Sequence, residues 1–266
     1  MTGASSGIGL ATACRLAAEG FGVFAGVYPG EDASQLQDRR ITVVPLDVTD
    51  QASLRAAAEQ VRHQLADKPL WGLINNAGVL GVGPWELVAL DQLRHVMEVN
   101  VVGLIAVTQA FLPDLRAARG RIVNISSLSG LVALPFLGPY SASKYAVESV
   151  SDSMRRELSP HGVSVIVMQP GGTSTPFWRK AAQVDLAPFV GSPYEAAVQR
   201  VYDAAVAKGN KGMEPDIIAR AITDALQAPK PPIRVRVQRR RRAKWRYTLI
   251  RLVPDRWIDR VVAKQV

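Results

Sequence analysis

The chain has 266 residues, enough for one large domain with its own core. Apolar residues make up 48% of it, the mean hydropathy is +0.06, and neither a spanning apolar run nor a signal peptide is evident, so a soluble, cytoplasmic protein is expected. The one cysteine, Cys14, excludes an internal disulfide, and three histidines (His63, His95, His161) without ligand spacing predict no metal site.

The net charge of +9 is unevenly placed. From Lys230 to Val266 there are thirteen Lys/Arg against two Asp/Glu, a net +11, so the rest of the chain is slightly acidic. The basic character belongs to a tail, with Arg239, Arg240, Arg241 and Arg242 at its centre.

In chain order, a glycine-rich turn, Thr2-Gly-Ala-Ser-Ser-Gly-Ile-Gly9, leads into a helix over 7–19. Strands are predicted over 22–28, 41–46, 70–74, 121–126, 163–168 and 233–237, and further helices over 51–66, 90–115, 140–159, 193–207 and 215–228. This alternation predicts an α/β fold. The nearly continuous apolar strands call for a doubly wound parallel sheet with helices on both faces. Residues 1–238 read as a single domain, with the irregular stretch 171–213 as a substrate lid. Residues 239–266 read as a basic amphipathic C-terminal extension.

Tyr140 and Lys144, in Gly138-Pro-Tyr-Ser-Ala-Ser-Lys144, stand at i, i+4. On a helix the phenol and the ammonium share a face, and a nearby cation favours phenolate. That predicts a Tyr140 pKa below its usual ~10 and a side chain fit for acid/base work. Ser127 closes the apolar strand 121–126, at the carboxyl end where open α/β sheets bind ligands. The glycines at 3, 7 and 9 let backbone amides approach a pyrophosphate at a helix N-terminus. Asn75-Asn-Ala-Gly78 follows the third strand, and Asn100 lies within Met97-Glu-Val-Asn-Val101.

Taken together and in order, these motifs resemble the short-chain dehydrogenase/reductase family over about residues 1–175. The subgroup resemblance is to retinol, hydroxysteroid and hydroxybutyrate dehydrogenases. It implies a Rossmann-like fold and hydride transfer between a nicotinamide cofactor and an alcohol carbon. Tyr140 would be the acid/base and Lys144 its partner, also holding the nicotinamide ribose. Ser127 would bind the substrate oxygen. Asn100 would keep a water linking Lys144 to solvent, or else only plug a helix irregularity. Gly3, Ser5, Ser6, Gly7, Ile8 and Gly9 would hold the pyrophosphate and adenosine side. Tyr28 would stand at the ribose, with Asp47 and Val48 at the adenine. Asn75, Ala77 and Gly78 would flank the adenosine ribose, and Pro170, Gly171, Thr173 and Thr175 the nicotinamide carboxamide. Asp47 also reads as a plain turn residue before the next helix.

The family places an apolar strand before the Thr-Gly of the turn. Here Met1 directly precedes Thr2, so the first β-strand is apparently missing; either the stated start is too late or the chain is truncated. Neither an acid nor a cation stands at Tyr28, and the lack of a cation for a 2′-phosphate favours NAD over NADP. Phe177, Trp178, Leu186, Phe189 and Tyr194 would line the lid for a lipophilic, steroid- or retinoid-like substrate, or merely pack the lid on the body. The tail suits a packed basic helix or peripheral contact with an anionic membrane, and no nucleic acid. A homo-oligomer is expected. The competing reading is a catalytically idle dinucleotide-binding scaffold docked through its basic tail.

Overall fold

A computed structural model describes residues 1–177, 185–239 and 253–263. Strand β1 (Val23–Val27) pairs with β2 (Ile41–Pro45). A second set runs in the order β3 (Gly72–Asn75), β4 (Arg121–Ile125), β5 (Ser164–Pro170) and β6 (Arg234–Val237). Every ladder is parallel.

Residues 1–4 lie between the two sets and bond to both. The Met1 amine donates to the Phe24 carbonyl at 2.7 Å. The Gly26 amide donates to the Met1 carbonyl, and the Ala4 amide to the Gly26 carbonyl. On the other side the Thr2 amide donates to the Ile74 carbonyl at 3.0 Å. This short segment fills the central strand position only at its carboxyl end, next to the glycine turn.

Parallel strands bury both faces, and successive side chains alternate between them. Ile74, Val123, Ile125, Ile166 and Met168 face helices α1 (Gly7–Ala18) and α7 (Pro215–Gln227). Leu73, Ile122 and Val165 face α2 (Gln51–Leu65) and α4 (Gly103–Ala117). Arg15 of α1 makes a bidentate bond to Asp216 of α7. The buried Arg121 reaches from β4 to the carbonyls of Ala225 and Leu226 at the end of α7, satisfying acceptors that the helix leaves unpaired.

The expected helix over 90–115 is interrupted. It runs as α3 (Leu90–Met97), a π-helical turn (Glu98–Val102) and then α4. The π turn accommodates one extra residue and turns Asn100 inward, which hydrophobic periodicity does not reveal. The stretch Leu90–Ala117 is long and apolar enough to cross a bilayer, with a mean hydropathy of 1.6 over its best window. Half of that window is buried in the body, so here it serves as a core element.

Helix α5 (Gly138–Leu158) starts two residues before its predicted beginning, with Pro139 in its first turn. Within 171–213, a short 3-10 turn (Ala187–Phe189) precedes α6 (Glu195–Asn210). The last helix is α8 (Asp255–Ala263). Trp178 of the expected lid, and residues 240–252 of the basic extension, lie outside the described residues.

Candidate active site

The carboxyl ends of the strands and the turn 2–9 open onto one cavity of about 1230 Å³. A single ligand commonly takes about 300–1,000 Å³, so this space suits a dinucleotide with a second molecule beside it. Its lining includes Ser5, Ser6, Gly7 and Ile8 at one end and Ser127, Tyr140 and Lys144 further along.

Tyr140 is 8% exposed, and Ser127 hydrogen-bonds its phenol. Lys144, one turn along α5, donates to the Ile125 carbonyl at 2.9 Å and lies 5.7 Å from the centre of the Tyr140 ring. The expected depression of the Tyr140 pKa is not found. Burial drives the phenol up to about 12, and the bond from Ser127 offsets this only in part. Desolvation also pushes the Lys144 ammonium down to about 8, against support from Glu148. Withdrawal from water penalises each charged form, and here it outweighs the bond from Ser127 to the phenol and the attraction of Glu148 for the ammonium.

Glu148 was not anticipated from the sequence. It lies one turn below Lys144, buried, accepting from Gln169 at 2.8 Å and from Arg234 at 3.0 Å. The i, i+4 spacing from Lys144 was its only sequence signal.

Asn100 does not line the cavity. Its Oδ1 accepts from the Val79 amide at 2.7 Å, and its Nδ2 donates to the Val79 carbonyl and the Ser143 hydroxyl, each at 2.9 Å. The amide thus pins the π turn against α5, as in the helix-irregularity reading. It remains close to the centre: a Cβ on Gly78 would lie 3.2 Å from Asn100 Oδ1 and 3.7 Å from Lys144 Nζ.

The cofactor end fits a dinucleotide. Gly3 and Gly7 have φ of +63° and +54°, conformations that favour glycine. No side chain caps the first turn of α1, which leaves its amides to meet an anion. Ser126 Oγ, at the cavity wall, is buried with no hydrogen-bond partner among the described residues. Tyr28, Asp47, Val48, Ala77, Gly78, Pro170, Gly171, Thr173 and Thr175 all line the cavity. Asp47 Oδ1 also accepts from the Thr49 amide and hydroxyl, so it is a turn residue as well as part of the wall.

Two expected cofactor contacts are not in the wall. Gly9 packs instead on the turn: a Cβ there would fall 2.0 Å from the Gly3 carbonyl oxygen. Asn75 faces the sheet interior, donating to Thr108 and Asn124 at 2.9 Å each. Its neighbour Asn76 lines the cavity and donates to the carbonyls of Thr2 and Gly3. Alternation along β3 sends adjacent asparagines to opposite sides.

The missing acid lies three residues beyond Tyr28. Pro29 and Gly30 (φ +88°) make a turn closed by the Glu31 amide donating to the Tyr28 carbonyl at 3.0 Å. It brings the Glu31 carboxylate back into the wall, where it accepts from the Ser5 hydroxyl.

Among the described residues, the lid contributes less than expected. Phe177 lines the cavity and its ring lies 5.7 Å from that of Tyr140. Phe189 packs on Gly83, and Tyr194 meets Phe136 and bonds to Glu86. Phe189, Tyr194 and Leu186 are outside the wall, and Phe189 and Tyr194 pack the lid on the body.

A family model described as short chain dehydrogenase matches residues 1–185. The chain belongs to this family. Its members are oxidoreductases that act on CH–OH groups with NAD(P) as acceptor, binding a small-molecule substrate and a nucleotide. The chain is 34% identical to an NADPH-dependent 3-dehydrocapnine reductase of Ornithobacterium rhinotracheale, over 100% of this chain and 96% of that protein. It is 46% identical to retinol dehydrogenase 16 of Homo sapiens over 175 residues, which is 64% of this chain and 55% of that one. The chain thus spans just over half the length of the human relative. A solved short-chain dehydrogenase from Streptomyces avermitilis superposes with a TM-score of 0.79 at 28% identity, covering 99% of this chain and 95% of that one.

Proposed function

We propose that this short-chain dehydrogenase interconverts a lipophilic secondary alcohol and its ketone, of steroid- or retinoid-like character. The observation that carries the reading is the buried Tyr140 phenol. It is bonded by Ser127, has Lys144 beneath it, and stands where the glycine-turn end of the cavity meets an apolar end. The apolar end includes Leu128, Val132, Leu134, Leu137 and Phe177.

Bound nicotinamide would supply or accept the hydride. The protein's part is orientation and proton transfer. With its pKa near 12, Tyr140 is neutral at pH 7 and donates its proton to the carbonyl oxygen during reduction. Oxidation is the reverse step and starts from the deprotonated Tyr140, whose phenolate oxygen takes the proton from the alcohol. Ser127 orients the substrate oxygen toward Tyr140. Lys144 forms the floor of the site beside Gly78, and Asn100 supports it from behind through Val79 and Ser143. Thr173 and Thr175 stand at the end where a carboxamide would be held.

NAD is the favoured acceptor in this reading. Glu31 can accept from ribose hydroxyls and repels a 2′-phosphate. The basic extension, with exposed Trp257, Arg256 and Arg260 on α8, supports peripheral contact with an anionic membrane from the cytoplasmic side.

The test is NADH formation with a panel of lipophilic secondary alcohols, for the wild type and Tyr140→Phe. The variant should lose about 10²–10⁴-fold in turnover and keep its affinity for NADH. More than about a tenth of wild-type activity in Tyr140→Phe would remove the assignment.

A further inference from the structure

The apolar end of the cavity is not closed by the family core alone. Val253, Trp257, Ile258 and Val262 line the same cavity as Tyr140, and all lie beyond the residues matched by the family model. Ile258 and Val262 stand four residues apart on α8, so their side chains lie one turn apart, and Trp257 adjoins Ile258. Asp255, Arg256, Asp259 and Arg260 of α8 are exposed. The helix turns the half-buried Ile258 and Val262 to the site and a charged face to water, while Val253 and Trp257 stand exposed at the rim of the cavity.

A second cavity, of about 430 Å³, lies on the far side of this face and is bounded by Trp85, Pro135 and Tyr145 among others. Leu134, Ile258 and Val262 line both cavities. They are the partition between them. Among the described residues of the lid, Phe177 is the only apolar side chain in the wall beyond Gly172.

We propose that α8 forms the outer wall of the substrate pocket, and that Ile258 and Val262 select substrates with an extended apolar body attached to the reacting carbon. This rests on the oxidoreductase reading above and names the substrate class it prefers. A short alkanol reaches Tyr140 without touching α8. A longer one gains contact with Leu134, Ile258 and Val262, by up to about fourfold in kcat/KM for each methylene buried.

The experiment compares a four-carbon with a ten-carbon secondary alkanol, with NAD and with NADP. It uses the wild type, Ile258→Ser/Val262→Ser, and a form ending at Leu252. NADH binding, followed by fluorescence, reports that each protein is folded. The wild type should prefer the longer alkanol by at least about a hundredfold, within the limit set by six added methylenes. That ratio should fall at least tenfold in both altered forms, chiefly through KM for the longer substrate. The same ratio in all three proteins, or no preference in the wild type, would overturn the wall and leave the oxidoreductase reading standing. No turnover of either alkanol by a wild type that binds NADH would overturn both.

Discussion

Replacing Lys144 with methionine tests the electrostatics of the site without a substrate. Lys144 is 5% exposed, and burial lowers its pKa from 10.5 to about 8. At pH 7 both folded and unfolded chains carry the ammonium. Its burial then opposes folding by about 3 kcal/mol, at about 1.4 kcal/mol per pH unit between the two values. Between pH 8 and 10.5 the unfolded chain holds a proton that the folded chain lacks. Wild-type stability from this group is therefore lowest below pH 8 and rises with pH through that window. Methionine has similar length and no charge, so it escapes this dependence. It does leave the Ile125 carbonyl without its donor, a cost of about 1–3 kcal/mol that does not vary with pH.

Urea unfolding of both proteins from pH 7 to pH 9.5 isolates the effect. Lys144→Met should be the more stable by about 1 kcal/mol at pH 7, and the wild type should gain about 2 kcal/mol on it by pH 9.5. Other titrating groups are common to the two proteins and cancel. Parallel stability curves would refute a depressed Lys144 in the folded chain. Turnover and NADH affinity should both be lost in the variant, as expected where function is placed at the cost of stability.

The glycine turn gives a second stability test. Gly9→Ala places a Cβ 2.0 Å from the Gly3 carbonyl oxygen, so the turn must shift, at about 1–3 kcal/mol. The melting temperature should drop by several degrees and NADH binding should weaken; an unchanged melting curve would show that the contact yields freely. Glu31→Gln should raise kcat/KM for NADP relative to NAD by about tenfold, because a unit repulsion near the surface is worth roughly 1–4 kcal/mol at 4 Å. An unaltered ratio would remove Glu31 from cofactor selection. Finally, the protein should sediment with anionic vesicles and be released by high salt, while a form ending at Gln238 should not bind. Equal binding to neutral vesicles would argue against the charge of the extension.

Much of the candidate site was legible because it is local. Tyr140 and Lys144 are one helical turn apart, Ser127 ends an apolar strand, and the glycines of 3–9 sit where a strand end meets a helix. Each reading needs only a period of 3.6 or 2 and the chemistry of a side chain. The parallel sheet followed from the same periods, since apolar strands separated by helices must cover both faces.

The rest depended on contacts between distant segments. The alternation of β3 decided that Asn76, and not Asn75, meets the glycine turn. A proline–glycine turn carried the acid from Tyr28 to Glu31. The π turn directed Asn100 onto Val79 and Ser143. Burial reversed the expected direction of the Tyr140 pKa, because spacing along a helix records which charges are neighbours and not how much water surrounds them. The same holds for α8: its apolar face is plain from residue order, but only the folded chain sets that face against the cavity that holds Tyr140. Sequence separation determines local geometry, whereas desolvation and long-range packing arise only when the chain is closed on itself.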